Sequence, residues 1–232
     1  MRYNTILLDF DDTLVDFYDA EDKAFHNMAK FYNHYPTEKD FQFFKKVNQA
    51  HWEAFQKNEL TKEEVLSHHF IEYFSHYGIE VDGKEADIRF RDELAKAPVK
   101  YFDLALETID RLAQICDLYI VTNGVTDTQK RRIAQLDFKD VFAGVFISEE
   151  TGYQKPMAEF FDHVYERIGK DKKEHSLIVG DSLTSDVLGG KNAGIATCWF
   201  NYRDKSNDSE IKPDYEIKNL SELVKIVEKE EA

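Results

Sequence analysis

Short apolar runs recur along this chain, each bounded by polar residues: TILLDF over 5–10, LYIVTN over 118–123, GVFIS over 144–148, SLIVGD over 176–181 and ATCWF over 196–200. Runs of this length, rich in β-branched residues and without alternation, predict parallel strands buried on both faces. Between the later runs lie helical patterns near 104–116, 125–136, 157–168, 184–192 and 219–229. That alternation predicts an α/β fold with a doubly wound parallel sheet. The stretch 17–97 has another texture, with no strand-like run and helical patterns over 19–33, 38–57, 62–77 and 84–96. In the second of these, Phe41, Phe44, Val47, Asn48, His51, Trp52 and Phe55 recur at spacings of three and four, the stripe of an amphipathic helix. The sequence therefore predicts a Rossmann-like core made of 1–15 and 101–232, with 16–100 inserted as a helical bundle that forms a cap domain.

Composition narrows the partners. With 232 residues, of which 42% are hydrophobic and 14% aromatic, the chain can bury a substantial core. No apolar run approaches the roughly 18 residues that a membrane span needs. Met1 leads almost directly into the first strand, so no signal peptide is expected and the cytoplasm is the expected compartment. Cys116 and Cys198, the only cysteines, each sit in an apolar segment and read as reduced core residues. A formal net charge of −15 opposes polymeric nucleic acid and anionic membranes as partners. A monomer or a dimer is expected. The Lys/Glu-rich end over 225–232 reads as a helix running into a solvated tail.

Ligands of open α/β sheets bind beyond the carboxyl ends of the strands, and there the polar residues gather. The first strand delivers Asp9 and Asp11, the second Thr122, Asn123 and Gly124, and the run SLIVGD delivers Asp181 with Asp186 five residues on. Lys155 follows the strand that ends near Ser148. Each alone is a weak signal in a chain with 45 acidic residues; their common place at strand exits is a stronger one.

The motif DFDDT, with TNG, the Lys155-Pro156 pair and GDSLTSD, resembles the four signatures of the haloacid dehalogenase-like hydrolases. The stretches ISEETGYQKP, VGDSLTSDVLGGKNAGIATCWFN and VNQAHWEAFQKNELT are similar to the pyrimidine 5′-nucleotidase branch of that family. The resemblance implies a magnesium-dependent phosphatase acting on a small phosphomonoester. Asp9 would be the nucleophile that forms an aspartyl-phosphate, and Asp11 the residue that protonates the leaving alkoxide and then activates water. Related dehalogenases lack a carboxylate at the place of Asp11, because a halide leaves without a proton. Magnesium would be held by the Asp9 side chain, the Asp11 backbone carbonyl and Asp181, with Asp186 further out or stabilising a helix N-terminus. Thr122, Lys155 and backbone N–H groups at Asn123 and Gly124 would receive the phosphoryl oxygens. The branch resemblance implies a 5′-nucleotidase acting on pyrimidine nucleoside monophosphates; the alternatives are a phosphomutase of a sugar phosphate on the same scaffold and a phosphatase for another small metabolite.

Other residues carry smaller expectations. Thr13 is expected to bond within its loop and orient the two aspartates. Asp12 stands where many relatives have glycine, and KYFDLALETIDRL, returning from cap to core, lacks the Pro-Gly that relatives often place there. Adjacent helical residues such as His68 and His69 do not face one another and do not read as a metal site. Two glycines in DVLGGKNAG suggest close packing of a helix. Asn48, His51 and Trp52 are the cap residues singled out for substrate contact; the other cap aromatics read as core.

Overall fold

A computed structural model of the chain describes residues 2–228; the last part of the expected tail, 229–232, lies outside them. The chain divides into two compact units, Met1–Phe17 with Val99–Ala232, and Tyr18–Pro98. In chain order β1 (Thr5–Leu8) is followed by α1 (Tyr18–Phe31), α2 (Glu38–Gln56), α3 (Lys62–His76) and α4 (Gly83–Lys96). The first unit then resumes with α5 (Ala105–Ala113), β2 (Asp117–Thr122), α6 (Thr126–Ile133), β3 (Phe142–Ile147), α7 (Ser148–Thr151), α8 (Ala158–Ile168), β4 (Ser176–Gly180), α9 (Leu188–Ala193), β5 (Ala196–Phe200), β6 (Tyr215–Ile217) and α10 (Glu222–Glu228). The short α7 and the three-residue β6 were not expected from the sequence.

The sheet runs β3-β2-β1-β4-β5-β6, and each neighbouring pair is parallel. From β1 the chain winds outward through β2 and β3, then returns to β4 on the other side of β1. The strand order therefore reverses between β1 and β4, which makes their carboxyl ends the switch point where such sheets bind ligands.

Both faces of the sheet are covered, as continuous apolar strands require. Ile6 and Leu8 pack with Leu118, Ile120, Leu177 and Val179 on one face. Leu7, pointing the other way, packs with Val121, Phe160, Phe161 and Ile178. Gly189 and Gly190 have the expected packing role: a Cβ on Gly189 would stand 2.9 Å from Phe161, and one on Gly190 2.5 Å from Thr197 and 2.6 Å from Ile178. Glycine there lets α9 lie directly on the sheet. A π-helical turn over Leu183–Val187 precedes that helix.

Two left-handed residues, Asp12 and Leu104, fall in the DFDDT and KYFDLALETIDRL stretches. Asp12 has φ 56° and Leu104 has φ 60°, the region that glycine enters without a Cβ penalty. Aspartate tolerates it through local hydrogen bonding; the Asp12 carboxylate accepts from the Phe17 N–H at 3.1 Å. Leu104 is half exposed and gains no such bond from its side chain.

In the second unit, helix starts are set by side chains: Thr61 and Glu64 form a capping box on α3, and Asp82 accepts from the first turn of α4. Its interior is aromatic. Phe25 stacks on Phe44 at 4.3 Å between ring centroids and meets the Tyr73 edge at 5.0 Å. Phe44 continues to Phe70 at 5.6 Å and Phe90 at 5.8 Å. Among the described residues no helix is long and apolar enough to cross a membrane. Both cysteines are free thiols, Cys198 buried and Cys116 partly so.

Candidate active site

The first strand pairing continues past β1, because the Asp9 N–H donates to the Val179 carbonyl at 2.9 Å. Asp9 is thus held as rigidly as the strand itself. The chain then turns tightly: the Asp12 N–H bonds the Val15 carbonyl at 2.8 Å and the Leu14 N–H the Phe10 carbonyl at 3.0 Å. Thr13 sits within this loop and joins it to the end of β4. Its hydroxyl accepts from the Asp181 N–H at 3.1 Å and donates to Asp9 Oδ2 at 3.5 Å. The loop ends where the Asp16 N–H meets the Lys100 carbonyl at 2.8 Å, tying the outgoing chain to the returning one.

Lys155 reaches the same strand edge from the loop before α8. It is 1% exposed, and Nζ donates to Asp9 Oδ1 at 2.7 Å, Asp186 Oδ1 at 2.6 Å and the Val121 carbonyl at 2.8 Å. Three acceptors for three protons leave the ammonium fully used. Asn123 fixes the main chain beneath it, donating to the Lys155 carbonyl at 2.8 Å and accepting from its N–H at 2.9 Å. The Asn123 side chain therefore clamps the lysine loop.

Asp9, Asp181 and Asp186 each place one carboxylate oxygen within 4.8 Å of the others. Asp186, which the sequence reading put further out, joins this group while also pairing with Lys155 and accepting from the Ser182 N–H at 3.1 Å. Gly180 makes room for it, since a Cβ there would lie 2.1 Å from the Asp186 carboxyl carbon. Burial, with Asp186 and Asp11 nearby, pushes Asp9 up to about 7 against the opposing pull of Lys155. Burial and the Asp12, Asp186 and Asp9 charges raise Asp181 well above the carboxylate range. On Lys155 burial acts downward, but Asp186 and Asp9 outweigh it and raise its pKa. Crowded, dry carboxylate oxygens with an excess of negative charge fit a hard divalent cation.

Asp11 is bound differently. Its carboxylate accepts from Arg132 Nη1 and from Gln129 Nε2, the latter at 2.9 Å. The Arg132 guanidinium lies over the rings of Phe10 and Phe17 at 4.9 and 5.0 Å. Gln129 Nε2 also donates to Thr122 Oγ1 at 2.8 Å, and the Gly124 N–H reaches that hydroxyl at 3.4 Å. The N–H of Gly124 is thus directed at Thr122. On the far side Arg203 donates to both Asp12 oxygens at 3.1 and 3.4 Å, and Lys205 Nζ lies 4.0 Å from Asp181 Oδ2. Trp199 Nε1 donates to the Asp181 carbonyl at 2.8 Å.

Sequence reasoning did not single out Gln129, Arg132, Arg203 or Trp199. In α6 the buried residues Thr128, Gln129, Arg132 and Ile133 share one face, opposite Asp127, Lys130 and Arg131, but both faces are polar, so the sequence carried no periodic signal for Gln129 and Arg132. A polar residue on the inward face of a helix that follows TNG is a candidate site residue.

The three cap residues lie within the helical unit. Asn48 Nδ2 donates to the buried Glu21 at 3.0 Å. His51 bonds the Val47 carbonyl through Nδ1 at 2.9 Å and has Nε2 3.7 Å from Glu72. Trp52 meets the Phe55 ring at 5.8 Å with Lys62 Nζ 5.1 Å above it. His69 is buried, and burial lowers its pKa to about 3; His68 beside it is exposed.

Comparison with known proteins adds an independent line. A family model described as haloacid dehalogenase-like hydrolase matches residues 3–194. HAD-hydrolase YfnB of Bacillus subtilis is 42% identical over 97% of this chain and 96% of its own length. Its crystal structure, titled as bound to magnesium and revealing interdomain movement, superposes with a TM-score of 0.93 over 98% of this chain and 100% of that one. Pyrimidine 5′-nucleotidase PynA of Streptococcus pneumoniae is 35% identical over 99% of this chain and 97% of its own. Pyrimidine 5′-nucleotidase YjjG of Escherichia coli is 30% identical over 98% and 99%.

Proposed function

The chain belongs to the haloacid dehalogenase-like hydrolase family, and we propose that it is a phosphatase that hydrolyses pyrimidine nucleoside 5′-monophosphates through an aspartyl-phosphate on Asp9. The observation that carries this reading is the Asp9 carboxylate, fixed at the exit of β1 and held by Lys155 Nζ at 2.7 Å, with a second carboxylate two residues on. The substrate class is supported by the names of PynA and YjjG, which match this chain along nearly its whole length.

Each step is assigned to a residue of this chain. Asp9 Oδ2, the oxygen not paired with Lys155, attacks phosphorus, and the ester P–O bond breaks with its electron pair on the leaving oxygen. Asp11 gives that oxygen a proton. Water then attacks the phosphorus of the aspartyl-phosphate, Asp11 takes its proton, and inorganic phosphate leaves with Asp9 restored. Thr122 offers a hydrogen-bond donor to the phosphoryl oxygens as their charge grows, and Lys155, held against Asp9, supplies positive charge beside them. Asp9, Asp181 and the Asp11 carbonyl, with Asp186 beside them, would hold magnesium, which supplies charge neutralisation for the transferring group. The unit over 18–98 serves as the cap, with Asn48, His51 and Trp52 as its candidates for contact with the base.

The test is phosphate release from a panel of nucleotides, sugar phosphates and phosphoamino acids, by the parent protein and by Asp9→Asn. A preference for pyrimidine monophosphates and loss of turnover in the variant are expected. Equal rates across the panel would remove the substrate assignment, and substantial turnover by Asp9→Asn would remove the nucleophile.

A further inference from the structure

We propose that Gln129 is a positioning residue for this reaction: its amide fixes the Thr122 hydroxyl as a hydrogen-bond donor and seats the Asp11 carboxylate, linking the phosphoryl-binding and proton-transfer halves of the site. The inference rests on the roles given above to Thr122 and Asp11.

The amide orientation is forced by its neighbours. Nε2 lies 2.8 Å from Thr122 Oγ1 and 2.9 Å from Asp11 Oδ2, two acceptors for its two protons, while Oε1 faces Arg132 Nη1 at 3.5 Å. Turning the amide over would set its carbonyl oxygen against a carboxylate and its NH2 against a guanidinium. A serine or threonine hydroxyl has two lone pairs and one hydrogen. In Thr122 the lone pairs are engaged by Gln129 and by the Gly124 N–H. Toward any further partner the hydroxyl can only donate, as a phosphoryl oxygen requires.

Gly124 supplies a second, independent observation. A Cβ at this position would stand 2.3 Å from Gln129 Cγ and 2.6 Å from its Nε2. Its φ is not among the left-handed ones, so backbone conformation does not call for glycine here. The third letter of TNG is small because the Gln129 side chain lies across it. Gln129 is 2% exposed and Arg132 1% exposed, so both are buried polar groups whose bonds lead to site residues.

Catalytically, the seat acts in the first step, where the ester bond breaks: as Asp11 passes its proton to the leaving oxygen, the carboxylate that develops is received by Gln129 and Arg132. The second step, attack of water on the aspartyl-phosphate, is common to all esters. The effect depends on the leaving group. An alkoxide needs Asp11's proton, whereas a dinitrophenolate leaves without one.

The experiment compares kcat/KM, which reports the ester-cleaving step, on an alkyl phosphomonoester and on 2,4-dinitrophenyl phosphate for the parent, Gln129→Met and Gln129→Ala. Methionine fills the space over Gly124 without donors, and melting temperature reports folding. The expected result is a kcat/KM loss on the alkyl ester at least about tenfold larger than on the dinitrophenyl ester. Equal losses on the two esters in whichever variants fold, or no loss, would overturn the inference, because a general disturbance of structure would not follow the leaving group. Failure of both variants to fold would overturn it too, by showing a structural role. If the parent releases phosphate from neither ester, the functional reading itself falls, an outcome distinct from an unchanged ratio in an active enzyme.

Discussion

Lys155 and Phe44 are both almost wholly buried, one in each unit, and their surroundings differ in kind. Around Lys155 stand Asp9, Asp186 and, within the same cluster, Asp181: more negative charge than one ammonium balances, in a place with little water. Around Phe44 stand Phe25, Phe41, Phe70, Tyr73 and Phe90, groups that gain from leaving water and from each other's edges. The α/β unit keeps an unfavourable polar interior at one strand edge and offsets it with two large apolar layers. The helical unit's interior is dominated by aromatic packing, and its buried polar groups, Glu21 and His69 among them, do not gather into one cluster of like charge. The contrast locates the chemistry, since electrostatic strain persists where a charged ligand relieves it.

The sharpest way to break that contrast is to remove the ammonium. Lys155→Met should lower phosphate release by about 10²–10³-fold and destabilise the α/β unit by about 3–5 kcal/mol, since two buried carboxylates lose their partner. Turnover within a few fold of the parent would show that the cluster is structural. In the helical unit, Phe44→Ala should cost about 3–5 kcal/mol through the cavity it leaves, read by denaturant unfolding. A loss below about 1 kcal/mol would mean that the aromatic stack is not what holds this unit.

The units should also respond to pH with opposite sign. His69 has its folded pKa lowered by burial to about 3, from 6.5. Its contribution to stability is complete above pH 6.5 and is lost as pH falls toward 3, on the order of a few kcal/mol. Asp9 is an acid raised by burial from 3.8 to about 7. Its contribution is complete below pH 3.8 and is lost as pH rises through 7. Hydrogen exchange followed in each unit between pH 4 and pH 7.5 measures both slopes. His69→Gln should flatten the first, and magnesium, by neutralising the cluster, the second. Slopes of the same sign would defeat the comparison.

The smallest expected effect concerns Leu104, held at φ 60° and half exposed. Leu104→Gly should stabilise by about 0.5–1 kcal/mol, because relief of the left-handed penalty exceeds the added chain entropy. Destabilisation would show that the Leu104 side chain has a packing role.

Much of this arrangement can be read from the residues before any coordinates. The apolar runs of β1, β2, β4 and β5 were unambiguous because buried parallel strands leave no polar face to confuse with a helix. Asp9, Asp11, Lys155 and Asp181 stood out because strand ends concentrate ligand chemistry. β6 escaped because YEI is a three-residue edge strand, too short for any periodicity. Gln129 and Arg132 escaped for another reason: TDTQKRRI is so polar that its inward face looks like its outward one, and only the sheet edge behind it tells them apart. How near Asp186 comes to Asp9 and Asp181 depends on the π-helical turn over Leu183–Val187, which no spacing rule supplies.

The two tryptophans fall one to each unit. Trp199 is 2% exposed, with its indole N–H on the backbone carbonyl of Asp181, while Trp52 lies on α2 beneath Lys62. The protein therefore carries two tryptophan fluorophores with separate duties, which red-edge excitation separates from its 12 tyrosines. In Trp52→Phe the remaining emission comes from an indole hydrogen-bonded to a residue of the carboxylate cluster, so a cation titration can be followed optically without a label. In Trp199→Phe the remaining signal reports the helical unit alone.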